Sequence, residues 1–261
     1  MKAWYQKFNN TLNYNYEYGL EYGEDFVMDP NQFEDRGDIE KYLIEIETND
    51  DFPVEIIDTD IKIIKFNYAF NQNIPKLPSH IEEIHFCNGF EENFNFSLFN
   101  KSLNNLSHRI KRLYLNYSFD QELLNLPESL EYLEFRGKFN KSLDYLPSSV
   151  KEINFITIFA GDTDPISSSF NQPLNNLPVN LEVLRLDCLD FNHPLDNLPK
   201  KLKYLKLHFY EFNFSLDNLP ENLEHLEILL HKTYNFNFDN LPKIDYLHWH
   251  FLSHDFWYKH K

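Results

Sequence analysis

The chain has 261 residues, enough to bury a substantial core as one cooperative body, and 41 acidic against 24 basic side chains leave a formal charge of −17. That balance argues against a nucleic-acid surface built on phosphate neutralisation, and no apolar run approaches the roughly 20 residues of a membrane span. Six glycines with no phosphate-cradling loop, no serine elbow and two cysteines without a case as nucleophiles point away from catalysis, and no cofactor is expected.

The acid is concentrated at the start, where residues 1–60 hold 16 Asp or Glu against four Lys or Arg. A solvated face is the plainer reading of that excess and a docking surface for a basic partner the sharper one. The opening, MKAWYQKFNNTLNYNY, lacks the short apolar core of a signal peptide, so a reducing, cytoplasmic setting is expected. Residues 1–66 read as an acidic N-terminal cap with a degenerate first repeat. Within them Tyr42, Ile44 and Ile46 alternate with Leu43, Glu45 and Glu47 as a strand would, and Ile57, Ile61, Ile64 and Phe66 stand where later units place Leu.

From residue 67 to 250 the chain repeats itself. Eight units open on an aromatic, at Phe70, Phe99, Phe119, Phe139, Phe170, Phe191, Phe212 and Tyr234, with spacings of 29, 20, 20, 31, 21, 21 and 22 residues. The shared grammar continues with Asn, two variable positions, Leu, two more, Leu-Pro, and then L-x-x-L-x-L, with Ser107 in place of proline in one of the eight units. The period is therefore 20 to 22 residues with two insertions, Asn88–Leu98 and Thr157–Ser169, both leaving just after the L-x-L segment and so on the same edge. Because L-x-L puts two apolar side chains on one face of an extended segment, stacked units make a parallel sheet with Leu inward. The proline at the corner breaks helix and cannot donate to a ladder, which predicts a return path that is irregular or a single 3₁₀ turn, with little α-helix. Residues 251–261 are expected to cap the last coil with Phe256 and Trp257. Together the three segments, 1–66, 67–250 and 251–261, make one continuous solenoid domain. Cys87 and Cys188 fall four repeats apart, near 19 Å at ~4.8 Å per strand, too far to form a disulfide.

Two asparagine rows recur as well. Asn71, Asn100, Asn140, Asn171, Asn192, Asn213 and Asn235 follow the leading aromatic, with Asp120 in the remaining unit, and Asn105, Asn125, Asn176, Asn197, Asn218 and Asn240 precede the Leu-Pro. Such rows predict ladders in which the side chains satisfy backbone groups in the turns.

FNQPLNNLP at Phe170–Pro178 and FNHPLDNLP at Phe191–Pro199 resemble the FNIP repeat, a leucine-rich-repeat variant of social amoebae and giant DNA viruses. The resemblance covers Phe70 to about Phe251 and implies a leucine-rich-repeat-like solenoid: a curved parallel sheet on the concave side and an irregular convex side. It also extends the expected setting to the cytoplasm of a host cell. Some proteins with such repeats carry an F-box that recruits a ubiquitin ligase. Phe52–Ile57, FPVEII, echoes the opening of one, but the repeats begin too soon afterwards to leave room for its helices.

Outward positions of the strands form three rows, where a repeat scaffold has residues free of core duty. The residues expected to bind a partner are Tyr114, Tyr132, Arg185, Tyr204, Lys206, His208, His225, Glu227, Tyr246, His248 and His250, mixing the aromatic, Arg and His types enriched in protein interfaces. The last eight lie on three adjacent strands and form the expected hot spot. Strand spacing does not converge His225, Glu227, His248 and His250 on one ion, so no metal is expected. The reading is a non-catalytic scaffold or adaptor for a protein that the sequence does not identify, with a structural or self-assembling component of a larger particle as the alternative and an F-box-like adaptor behind both.

Overall fold

The structure, a computed structural model, describes residues 43–46, 60–86, 96–157, 167–210, 212–230 and 240–251. The chain divides into two units, Met1–Asp38 and Ile39–Lys261, and every described residue lies in the second. That unit is a single ten-stranded sheet whose strands follow chain order: β1 (Leu43–Ile46), β2 (Ile63–Phe66), β3 (Glu83–Phe86), β4 (Arg112–Leu115), β5 (Tyr132–Arg136), β6 (Glu152–Ile156), β7 (Val183–Asp187), β8 (Tyr204–Phe209), β9 (His225–Leu230) and β10 (Tyr246–Phe251). All neighbours are parallel and in register, so equivalent positions of successive repeats stand side by side, as in Leu184↔Leu205 and Leu205↔Leu226. No helix occurs among the described residues. A parallel β-solenoid is therefore the fold, as the repeat grammar requires.

Each coil turns its corner at the Leu-Pro. The backbone N–H of Leu130, Val150, Leu181, Leu202 and Leu223 donates to the carbonyl of Pro127, Pro147, Pro178, Pro199 and Pro220 respectively, each three residues earlier. These prolines are buried, and a nitrogen without a proton leaves no orphan donor there. Where Ser107 replaces proline the same turn closes, from Ile110 N–H to Ser107 carbonyl, but Leu106 and Ser107 are only half-buried. The two inward residues of each strand from β2 to β9, such as Leu184 and Leu186 or Leu205 and Leu207, are sealed from solvent. Full burial of a leucine contributes ~1.5–3 kcal/mol, so the repeated L-x-L is the main source of stability.

The leading aromatics close the other side of the core. Phe70, Phe99, Phe119, Phe139, Phe170 and Phe191 stack in file with successive ring centroids 6.0, 6.0, 6.0, 6.2 and 6.1 Å apart. Strand phenylalanines join them, with Phe86 3.6 Å from Phe99 and Phe135 4.2 Å from Phe139. Both insertions rejoin the stack alike. Ser97 and Ser168, buried two residues before Phe99 and Phe170, accept the N–H of those aromatics at 3.4 Å, while Leu98 and Ser169 donate to the carbonyls of Tyr68 and Gly137 in the preceding coil. The insertions thus return on one edge.

The first asparagine row is a ladder. The side-chain oxygen of each residue accepts the backbone N–H of its counterpart in the next coil, from Asn71 to Asn100 (3.0 Å), Asn100 to Asp120 (3.0 Å), Asp120 to Asn140 (2.9 Å), Asn140 to Asn171 (2.9 Å), Asn171 to Asn192 (3.2 Å) and Asn192 to Asn213 (3.2 Å). The second row works differently from expectation. Asn197, Asn218 and Asn240 donate their amides to the side chains of Asn175, Asp196 and Asp217 in the preceding coil, at 3.2, 2.9 and 3.1 Å, rather than to backbone. These side chains are exposed, so they link coils at the surface and answer no buried demand.

The terminal coil is one residue short, as its sequence spacing indicates. Asp245, three residues after Pro242, donates instead to the Glu224 carbonyl, and β10 keeps its register on β9. Leu247, which continues the inward row of Leu205 and Leu226, is 42% exposed. The expected cap at Phe256 and Trp257 and the F-box echo at Phe52–Ile57 lie outside the described residues, as does Cys87; Cys188 is a free, buried thiol that burial pushes well above its ordinary pKa.

Candidate functional site

The outer face of the sheet carries the rows expected from the sequence, in the register expected: Tyr204, His225 and Tyr246 side by side, and Lys206, Glu227 and His248 beside them. Its two halves differ in how far their side chains are already engaged.

Between β3 and β7 the face is closed upon itself. His85 pairs with Glu83 at 2.5 Å and stacks on Tyr114 with centroids 4.0 Å apart. Arg112 donates to the Tyr114 hydroxyl, lies 3.4 Å from Glu83 and covers the Tyr132 ring at 4.1 Å. Tyr132 donates to Glu134 at 2.7 Å, Arg136 donates to the same carboxylate at 2.7 Å, and Asn154 joins the Tyr132 hydroxyl to Glu152. Arg185 then donates to Glu152 at 2.6 Å and to Asn154 at 2.9 Å. Burial drives both tyrosine hydroxyls upward, with the Glu83 charge adding to it at Tyr114, pushed up to about 12, and Glu134 at Tyr132. Burial also holds His85 below the ordinary histidine pKa in spite of Glu83. Tyr132, Glu134 and Asn154 are buried although they stand on the outward rows. Buried polar groups this fully paired specify one arrangement, and re-pairing them with a ligand would first cost the bonds they have.

From β7 to β10 the face opens. Arg185 lies over the Tyr204 ring at 4.6 Å and Tyr204 donates to Glu227 at 2.6 Å, so Tyr204 is held on two sides. Lys206 stands directly across from Glu227, yet that carboxylate is taken by Tyr204, and among the described residues Lys206 has no hydrogen bond or salt bridge. His225 sits between Tyr204 and Tyr246 with ring centroids 6.1 and 5.8 Å away. Tyr246 is 43% exposed and faces the His248 ring edge-on. His208 is engaged with Asp187 at 2.5 Å, and Thr157 donates to the same carboxylate at 2.8 Å. Burial alone would raise the Asp187 pKa, but the His208 bond, with the nearby Lys206 charge and Thr157, outweighs it and holds the carboxyl below its usual range. His250 lies opposite Leu229 in β10, and its side chain is outside the described set.

The candidate residues thus fall into two groups. Tyr114 and Tyr132 belong to the closed half, Arg185 and Tyr204 bridge the halves, and Lys206, His225, Tyr246 and His248 belong to the open one. Glu134, Glu152, Asn154 and Asp187 were not among the candidates, although they fix the orientation of those that were. Their signal was present only in part: Asp187 stands in register with His208 on the next strand, but Glu152 is opposite Val183 and meets Arg185 on the diagonal. Among the described residues no group of three or more His, Cys, Asp or Glu is placed to hold a metal ion, and no helix is long and apolar enough to cross a membrane.

Comparison with known proteins fits this geometry. The FNIP Repeat family model matches residues 99–138 and 123–157. No curated protein matches the chain. Among solved structures, CroV588, described as a novel circular LRR protein, aligns with 22% identity and a TM-score of 0.53 over 81% of this chain and 34% of that one. The chain therefore spans about a third of that protein's length, and the likeness is one of fold. Solenoids of this kind are generally protein-interaction scaffolds without catalytic activity. With family matches falling on successive coils and a leucine-rich-repeat structure as its neighbour, residues 99–157 are similar to FNIP repeats and the fold is a leucine-rich-repeat-like parallel solenoid.

Proposed function

We propose that this solenoid is a non-catalytic adaptor that captures a protein partner in the cytoplasm through the open, C-terminal part of its outer sheet face. The observation that supports it is the contrast within one face: β3 to β7 spend their polar groups on each other, whereas β8 to β10 present Lys206 with no hydrogen bond or salt bridge among the described residues, an exposed His225 and a 43% exposed Tyr246 whose hydroxyl meets only His248 there, at 3.3 Å. A half-exposed tyrosine beside a cation and histidines is the composition of an interface centre, and the aromatic supplies contact area at little entropic cost. Lys206 and Tyr246 form a cleaner test pair than Tyr204 and Tyr246, because truncating Tyr204 would also strip Glu227 of its donor and Arg185 of its ring. Partner capture by wild type and by K206A/Y246A, with melting temperatures matched, is the experiment. Size-exclusion chromatography at micromolar concentration bears on the alternative: the adaptor reading expects a monomer, and self-association would favour an assembly component.

A further inference from the structure

We infer a second interaction surface, on the Leu-Pro corners of the coils opened by Phe119, Phe139 and Phe170, which takes an extended peptide segment combining apolar side chains with lysine or arginine.

The inference begins from a paired departure from the repeat. On this corner a residue two before the Leu-Pro proline faces one three before the proline of the preceding coil. The first pair, Asn105 with Pro75, sets an amide against a proline, and the six that follow are Asn125 with Asn104, Tyr145 with Leu124, Asn176 with Asp144, Asn197 with Asn175, Asn218 with Asp196 and Asn240 with Asp217. Five are amide–amide or amide–acid, and the last three are hydrogen bonded. At Tyr145 and Leu124 both members have become apolar. Neither serves the core, since Tyr145 is 64% and Leu124 39% exposed. In the next coil Val179, 67% exposed, follows Pro178 at a site where neighbouring coils have Ser148 and Lys200. Asn180 donates to the Ser148 carbonyl at 2.8 Å, which fixes the Val179 turn against the coil of Tyr145.

Leu124, Tyr145 and Val179 therefore lie on an oblique track over three adjacent coils. Between the first two coils runs an open groove of about 560 Å³, with buried Leu126, Leu146 and Pro147 in its floor and Glu128 at its rim. At ~4.8 Å per coil the track covers about 10 Å, the reach of about three residues of extended chain. Around Leu124 and Tyr145 the exposed charges of these coils are acidic, whereas the coil before carries Arg109 and the coil after Val179 carries Lys200 and Lys201, the last donating to Asn180 at 2.7 Å. Glu122, Glu128 and Asp144 are exposed, and among the described residues none is in a salt bridge. Lys141, a cation of the Tyr145 coil, is committed to Asp120 at 3.2 Å. Apolar anchors with an acidic rim suit a segment whose apolar side chains are interleaved with basic ones.

Random dodecapeptides displayed on phage, panned against the full chain with counter-selection on L124D/Y145N, test this. The double substitution restores the Asn/Asp pair that Asn218 and Asp196 make, so its melting temperature is expected to equal or exceed that of wild type. Surviving peptides are expected to combine apolar residues with Lys or Arg and to bind wild type at least ~10-fold tighter than the variant. No survivors, survivors lacking basic residues, equal binding to both proteins, or a variant that melts lower than wild type would each overturn the proposal. K206A/Y246A should bind the selected peptides as wild type does; loss of binding there would place them on the sheet face and also overturn it.

Discussion

Asn140 tests the logic of the ladder. Its side-chain oxygen accepts the Asn171 N–H at 2.9 Å and the Gln172 amide at 3.0 Å. The role uses the acceptor alone, and the array shows the consequence: Asp120 accepts the Asn140 N–H equally well at 2.9 Å, and there the following residue is Lys141, paired with Asp120 at 3.2 Å, in place of glutamine. Asn140→Ala leaves a partly buried N–H without its partner, which costs ~1–2 kcal/mol, while the half-buried Gln172 amide can turn to water at smaller cost. For a chain of this size that lowers the melting temperature by about 2–8 °C. Asn140→Asp keeps the acceptor and is expected within ~0.5 kcal/mol of wild type, and N140D/Q172K should recover up to ~1 kcal/mol over N140D through the exposed ion pair. Urea and thermal denaturation at neutral pH read all three. If the aspartate were as damaging as the alanine, or the alanine harmless, the acceptor argument would fail.

Gly137 has φ +96°, and a Cβ there would meet the Tyr117 backbone and ring at 2.8 Å. Gly137→Ala should therefore destabilise by ~2 kcal/mol or more, seen as an earlier urea midpoint, and an unchanged midpoint would refute the close approach. Asp187, held below the usual carboxylate range, contributes stability that is present above the unfolded pKa near 4 and is lost as pH falls through its folded value. Asp187→Asn should then lower the melting temperature at pH 7 and make it less sensitive to acidification below pH 4; an unchanged acid limb would count against that account.

The fold was legible because one physical pattern is written eight times: L-x-L gives the inward rows, and the outward rows followed to the residue. The pairings on the outer face were less so. Register places Lys206 opposite Glu227, the obvious ion pair, but the carboxylate goes to the Tyr204 hydroxyl, a choice that depends on side-chain reach and on Arg185 fixing that ring. The second asparagine row was misread for a related reason, since a list of asparagines does not tell whether their amides meet backbone or, as at Asn197 and Asn175, each other. The corner track was visible in principle, as Leu124 and Tyr145 break the repeat at one contact, but only exposure shows that neither residue serves the core.

The most direct measurement is affinity capture from the native cell with quantitative mass spectrometry, comparing wild type with K206A/Y246A at equal melting temperature, followed by histidine labelling of the captured complex. The adaptor account predicts a protein enriched by wild type at least ~10-fold over the variant, with His225 and His248 shielded in the complex and the exposed His108 on a distant corner still labelled. The same proteins captured equally by both, with His225 and His248 as reactive as in the free chain, would contradict it.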